Sequence, residues 1–123
     1  MSDPRLTADC IFCKIVRGEI PADKLHEDED VLAFHDVRPQ AAVHFLIIPK
    51  EHVATLYDGG MALQRAYGKM LALAGELARK AGATEGFRAI INTGRVGHQE
   101  VYHVHIHVIG GPDPLGPMIL RRK

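Results

Sequence analysis

The segment Tyr102-His103-Val104-His105-Ile106-His107-Val108-Ile109 alternates histidine with β-branched apolar residues. Successive side chains of a strand point to opposite faces, so His103, His105 and His107 share one face and Val104, Ile106 and Val108 the other. Next-but-one residues on a strand lie about 6.8 Å apart, which makes the three imidazoles a ladder. The apolar face needs a cover. The chain offers one, a 20-residue stretch from Met61 to Lys80 in which Leu63, Tyr67, Met70, Leu71, Ala74, Leu77 and Ala78 recur at spacings of three and four. That spacing predicts an amphipathic helix about 30 Å long, stopped by Gly82. A strand with one histidine face and one apolar face beneath a long helix is the centre of the fold.

Other elements extend outward from that pair. Lys24 to Glu27, Val31 to Asp36, Val43 to Ile48, Phe87 to Asn92 and Val101 to Ile109 read as strands. The acidic run Glu27 to Asp30 reads as a solvated hairpin tip, Val37 to Gln40 as a loop before Pro49 ends the next strand, and Thr93 to Glu100 as a Gly-containing loop. Thr7 or Asp9 can cap a short helix running through Val16, with Gly18 after it. Strands and helices are segregated rather than alternating. The expected fold is therefore α+β, a five-stranded antiparallel sheet with one long helix and a short N-terminal helix. One domain is expected over residues 1–123, with 1–9 and 119–123 as flexible termini; the tail from Gly110 is rich in Gly and Pro.

The 123 residues carry 15 Lys plus Arg against 15 Asp plus Glu, with 46% hydrophobic and 24% charged residues. This is a globular balance, and a chain of this size buries roughly two-thirds of its unfolded surface. Zero formal charge argues against nonspecific nucleic-acid binding, and Arg121, Arg122 and Lys123 form a terminal run too short to serve it. No stretch approaches the ~20 apolar residues of a membrane span, and the N-terminus has no apolar signal-peptide core, so a cytoplasmic address is expected. The excess lies in histidine: there are eight, and four fall between His98 and His107.

Three chemistries suit the histidine ladder: a solvated polar face, a metal site built on H-x-H, or nucleophilic catalysis by a neutral imidazole at neutral pH. His44 favours the last. It opens His44-Phe45-Leu46-Ile47-Ile48-Pro49, and an adjacent antiparallel strand brings it beside the ladder. Cys10-Ile11-Phe12-Cys13 is half of a zinc site, a disulfide that a reducing compartment disfavours, or a redox pair lacking the preceding strand such a motif requires.

The run His103-Val104-His105-Ile106-His107-Val108-Ile109 resembles the signature of the histidine-triad (HIT) superfamily, and its flanks resemble the Hint branch. Those flanks include Ile11 to Ile15, Gly18 to Ala22, Ala33-Phe34-His35-Asp36, Pro39-Gln40-Ala41, His44 to Lys50, Asn92, Gln99 to Tyr102 and Ile109-Gly110-Gly111. The resemblance spans roughly Cys10 to Met118. His107 stands where uridylyltransferase relatives carry Gln, which points to the hydrolase side. By that resemblance the chain is expected to be a purine nucleoside phosphoramidase, cleaving nucleoside phosphoramidates or acyl-nucleotides through a nucleotidyl-histidine. His105 would be the nucleophile, with His107, His103 and His44 completing the catalytic set. Asp36 would hold the ribose. Phe12, Ile15, Ile20, Phe34 and Val37 would wall the base, and Asn92, Gln99 and Glu100 would hold phosphate. A dinucleoside polyphosphate hydrolase and a non-catalytic nucleotide-binding or zinc interaction module remain as alternatives.

The resemblance also implies a structural zinc held by Cys10, Cys13, His52 and His103, no organic cofactor, and a two-fold homodimer in which the sheet continues across the interface. Met61, Leu63, Met70 and Leu73 are expected to supply apolar surface for that dimer. In one departure from the family pattern, His98 stands in the loop before the triad where a glycine is usual. It is expected to border the pocket, either narrowing the site or adding a fifth imidazole near the leaving group. His26 and His35 carry no assigned role, with His35 expected on the face opposite Asp36.

Overall fold

The structure, a computed structural model, describes residues 9–119. Thr7, most of the expected N-terminal tail and the basic run Arg121 to Lys123 lie outside the described residues. The elements in chain order are α1 (Ile11–Val16), β1 (Lys24–Glu27), β2 (Val31–His35), β3 (Val43–Pro49), a 3-10 turn (Gly60–Leu63), α2 (Gln64–Ala81), β4 (Phe87–Ile90) and β5 (Ile106–Gly110). The five strands form one antiparallel sheet in the order β1-β2-β3-β5-β4. The α+β expectation holds. Among the described residues no helix is long and apolar enough to cross a membrane.

All seven residues of β3 are buried because both faces of the sheet are covered there. On one face Val31, Ala33, Phe45, Ile47, Val104, Ile106 and Val108 pack with Met70, Ala74, Leu77 and Ala78 of α2. On the other, Leu32, Phe34, Leu46 and Ile48 pack with Phe12 and Ile15 of α1. The helix α2 ends as its sequence implies. Gly82 takes a left-handed φ of 113°, its N–H reaches the Ala78 and Arg79 carbonyls, and the Ala83 N–H returns to Ala78 O at 2.8 Å.

Several boundaries differ from expectation, each for a local reason. Helix α1 is capped by Cys10, whose Sγ accepts from the Cys13 N–H at 3.4 Å, and not by Asp9. The stretch Met61 to Leu63 begins as a 3-10 turn before the α-helix proper. Strand β2 stops at His35 and β4 at Ile90. Strand β5 starts at Ile106 rather than Val101, because its partners pair only from Ile47↔Ile106 and Ile90↔His107 onward. Upstream of that point the Val104 N–H bonds to Val53 O at 2.8 Å instead of to a neighbouring strand.

The acidic hairpin tip is not simply solvated. Arg65 bonds Glu29 and Asp30, and Lys69 reaches Asp30 at 2.6 Å and Asp28 at 3.4 Å, so α2 is clamped over the β1–β2 turn. His26 belongs to that clamp, with Nε2 2.8 Å from Asp28 Oδ2. Burial works against the Asp28 charge, but His26, the N–H groups of Asp30 and Val31, and Lys69 together hold its carboxyl far below the usual range. The helix surface agrees with expectation at Met61, which is exposed, and differs elsewhere: Leu63 and Met70 are buried in the core and Leu73 packs against it, whereas Leu71, expected in the apolar stripe, is exposed.

Candidate active site and metal cluster

The alternation of His103, His105 and His107 survives although only His107 lies on a paired strand. The ring of Phe12 stands edge-on to both His103 and His105, with centroids at 5.8 and 5.2 Å, and His105 meets His107 at 4.9 Å. The register of β3 against β5 sets Leu46 opposite His107 and His44 opposite Ile109. His44 is therefore diagonal to His107, a separation long side chains bridge. Its Nε2 lies 3.0 Å from His107 Nδ1 and 3.4 Å from Asp36 Oδ2.

The tautomers follow from the partners. A backbone N–H can only donate, so the Gln40 N–H, 3.0 Å from His44 Nδ1, requires a lone pair there. Neutral His44 then carries its proton on Nε2 and donates to His107 Nδ1. Neutral His107 in turn carries its proton on Nε2. A carbonyl can only accept, so His105 donates from Nδ1 to the His103 carbonyl at 2.8 Å and keeps a lone pair on Nε2. By the same rule His103 donates from Nε2 to Pro49 O at 2.8 Å and keeps its lone pair on Nδ1.

Burial favours these neutral forms. It pushes His107 down from 6.5 to about 4, helped by the neighbouring His105 and His44. It lowers His105 as well, against the pull of the His103 carbonyl, and lowers His44 against the charge of Asp36. At neutral pH the site thus presents an uncharged nucleophilic nitrogen on His105 and a hydrogen-bond chain from Gln40 through His44 to His107.

These groups open into a cavity of ≈ 1210 Å³. Phe12, Ile15, Ile20 and Phe34 line it, as do Asp36, Asn92, His98 and Glu100. Val37 lines it too, but at 94% exposure it is a lip and not a wall. Gln99 departs from expectation. It is buried within its own loop: its N–H bonds Gly94 O, its Oε1 accepts from the Gly94 N–H, and its Nε2 donates to Ala54 O and Val101 O. With those groups taken, Gln99 shapes the loop and has neither its amide nor its N–H left for phosphate. His35, expected on the opposite face, is among the lining residues, where β2 ends and strand alternation stops governing. Sequence reasoning missed Asp23, Arg38 and Gln40, which also line the cavity. Gln40 was within reach, since it precedes His44 by one tight turn.

Beside the cavity, Cys10, Cys13, His52 and His103 bring one donor atom each to within 4.8 Å of the others. Cys10 Sγ is 3.4 Å from His103 Nδ1, Cys13 Sγ is 3.6 Å from the same nitrogen, and Cys13 Sγ is 3.4 Å from His52 Nδ1. Sulfur and nitrogen ligands of a tetrahedral zinc stand about 3.6 Å apart, given Zn–S near 2.3 Å and Zn–N near 2.05 Å. The donor set therefore fits a tetrahedral metal with all four positions filled. The bond from His103 Nε2 to Pro49 O supplies the outer partner that orients a metal-ligating ring. Burial holds His103 neutral, with its pKa down to about 4, the form a metal binds.

Comparison with known proteins matches residues 17–113 to the HIT domain. An uncharacterized HIT-like protein of Synechococcus elongatus is 49% identical over 106 residues, 86% of this chain and 93% of that protein. The purine nucleoside phosphoramidase of Escherichia coli is 44% identical over 118 residues, 95% of this chain and 98% of that enzyme. Among solved structures, a HIT family hydrolase from Clostridium thermocellum superposes with a TM-score of 0.86 at 40% identity, covering 93% of this chain and 99% of that one. A HIT family hydrolase from Legionella pneumophila gives 0.81 at 46% identity, covering 85% and 95%.

Proposed function

Because the chain belongs to the HIT domain family, we propose that it is a purine nucleoside phosphoramidase working through a covalent nucleotidyl-histidine. The observation that carries this reading is the 2.8 Å bond from His105 Nδ1 to the His103 carbonyl, which leaves the His105 Nε2 lone pair available at neutral pH. That nitrogen attacks the α-phosphorus, and a new P–N bond forms as the bond to the leaving amine breaks. The departing nitrogen accepts a hydrogen bond from His107 Nε2–H and takes up a proton from solvent as it leaves. Water then attacks the phosphorus and releases a proton to solvent, and the nucleoside monophosphate departs as His105 is freed. Asp36 at the β2 end supports ribose binding, since its carboxylate can accept from both hydroxyls. The apolar wall of Phe12, Ile15, Ile20 and Phe34 supports a purine.

Turnover of an adenosine phosphoramidate tests the reading. The wild type is expected to release AMP and His105→Ala to lose more than about a thousandfold in kcat, as removal of a covalent nucleophile does. An active His105→Ala would refute the assignment.

The cluster of Cys10, Cys13, His52 and His103 is proposed to hold one structural zinc, which would tie α1 to the sheet. Reduced thiols are required for that, consistent with a cytoplasmic location. A two-fold homodimer is proposed through the outer edge of β4, where Phe87 is half-exposed, and the neighbouring surface of α2 carrying Leu71.

A further inference from the structure

His98 is the one non-glycine residue with a positive φ among the described residues, at 61°. Glycine adopts that conformation without strain and a side chain does not. Its ring is 86% exposed, so packing does not account for a histidine at this position. The contact it makes is to Glu100, with Nε2 3.6 Å from Oε1.

Both residues come from the β4–β5 connection and line the cavity together with Asp36 and Arg38, which come from the β2–β3 connection. Among the lining residues contributed by the β4–β5 connection, Glu100 is the one carboxylate. It is 79% exposed, and its charge is near enough to favour the protonated forms of His105 and His107. The cavity is larger than the roughly 300–1,000 Å³ usual for a small-molecule site, which leaves room beyond a nucleotide. With ribose on the Asp36 side and phosphorus at His105, that remaining room adjoins Glu100.

We propose that Glu100, positioned by His98, selects leaving groups that carry a positive charge. This rests on the phosphoramidase reading and names the chemistry of the substrate's second half. Glu100 is the specificity residue and His98 a positioning residue that holds the carboxylate at the cavity rim.

The test uses two adenosine 5′-phosphoramidates whose leaving amines are ethylenediamine and ethanolamine, alike except for a terminal ammonium or hydroxyl. The wild type is expected to favour the ammonium substrate roughly three- to fivefold in kcat/KM at low ionic strength, the size of an exposed ion pair, with the preference fading in salt. Glu100→Gln should bring the ratio to about one. His98→Gly should lower it, and His98→Asn, which tolerates the left-handed backbone and keeps a donor, should restore it. A wild-type ratio near one, or an unchanged ratio in Glu100→Gln, would overturn the proposal in an enzyme that still turns over. Failure of the wild type to release AMP from either substrate would overturn the phosphoramidase reading and this proposal with it.

Discussion

His44 and His107 are joined by one hydrogen bond whose direction is imposed from outside the pair, by the N–H of Gln40. Removing His44 breaks the chain at both ends. His44→Phe is expected to lower kcat about ten- to a hundredfold, because His107 loses the donor that sets its tautomer. It should also cost about 1 kcal/mol of stability, from the lost Gln40 N–H to His44 hydrogen bond, as a denaturant titration would read. The pH dependence follows from the same burial. His107 titrates near 6.5 in the unfolded chain and near 4 in the folded one, so the unfolded chain takes up protons first as pH falls. The contribution of this group to stability is complete above about pH 6.5 and is lost progressively toward pH 4. The melting temperature is expected to fall over that window, and His107→Gln should flatten the dependence. The histidine face was legible from alternation alone. The tautomers of His103, His44 and His107 were not, because they depend on a carbonyl of Pro49 and an amide of Gln40 that fold from elsewhere; that of His105 is set by the His103 carbonyl two residues away, as the family resemblance implies.

Among the elements, α1 has six residues, too few to be helical alone. It is tied to the rest of the chain by Cys10 and Cys13, which gather with His52 and His103, and by Phe12 and Ile15 in the core, and the latter two are also cavity wall. On the proposal that these four residues hold zinc, stripping it with a chelator is expected to weaken AMP binding about tenfold or more by calorimetry, and to lower the melting temperature. Unchanged affinity in metal-free protein would show that α1 holds its place without the cluster. The loop before the triad has a comparable constraint at Gly97, where a β-carbon would stand 2.5 Å from Thr93 O and 2.8 Å from Thr93 N. Gly97→Ala should displace the loop, with a cost of about 1–3 kcal/mol and a loss of kcat/KM toward charged and neutral leaving groups alike, whereas His98→Gly lowers the preference between them. Element identity was readable from periodicity throughout. Ends such as Ile106 were not, since they depend on how far the partner strands extend. The acidic tip of Glu27 to Asp30 looked solvated because nothing local reveals that Arg65 and Lys69 will lie over it.

For the whole molecule, Met61 is the one exposed residue of the four apolar helix residues expected at the surface. Leu63 and Met70 are consumed by the core of one chain, while Leu71 is 61% exposed on α2 and Phe87 is 40% exposed on the edge strand β4. A free antiparallel edge beside an apolar patch favours pairing with a second copy. Sedimentation at micromolar concentration is expected to give twice the chain mass of 13.5 kDa, and Leu71→Glu combined with Phe87→Glu should shift it to one. The architecture as a whole was legible because hydrophobic alternation, one long helix and the turn signals agreed. The dual burial of β3 was foreshadowed by its unbroken apolar run Phe45 to Ile48. The central claim is that His105 becomes covalently nucleotidylated. Its most direct test is rapid acid-free quenching of the wild type during turnover of an adenosine phosphoramidate, followed by peptide mass mapping. The expected result is an adenylyl group on His105 that appears and decays at the rate of turnover; label on another residue, or turnover with no labelled histidine, would contradict it.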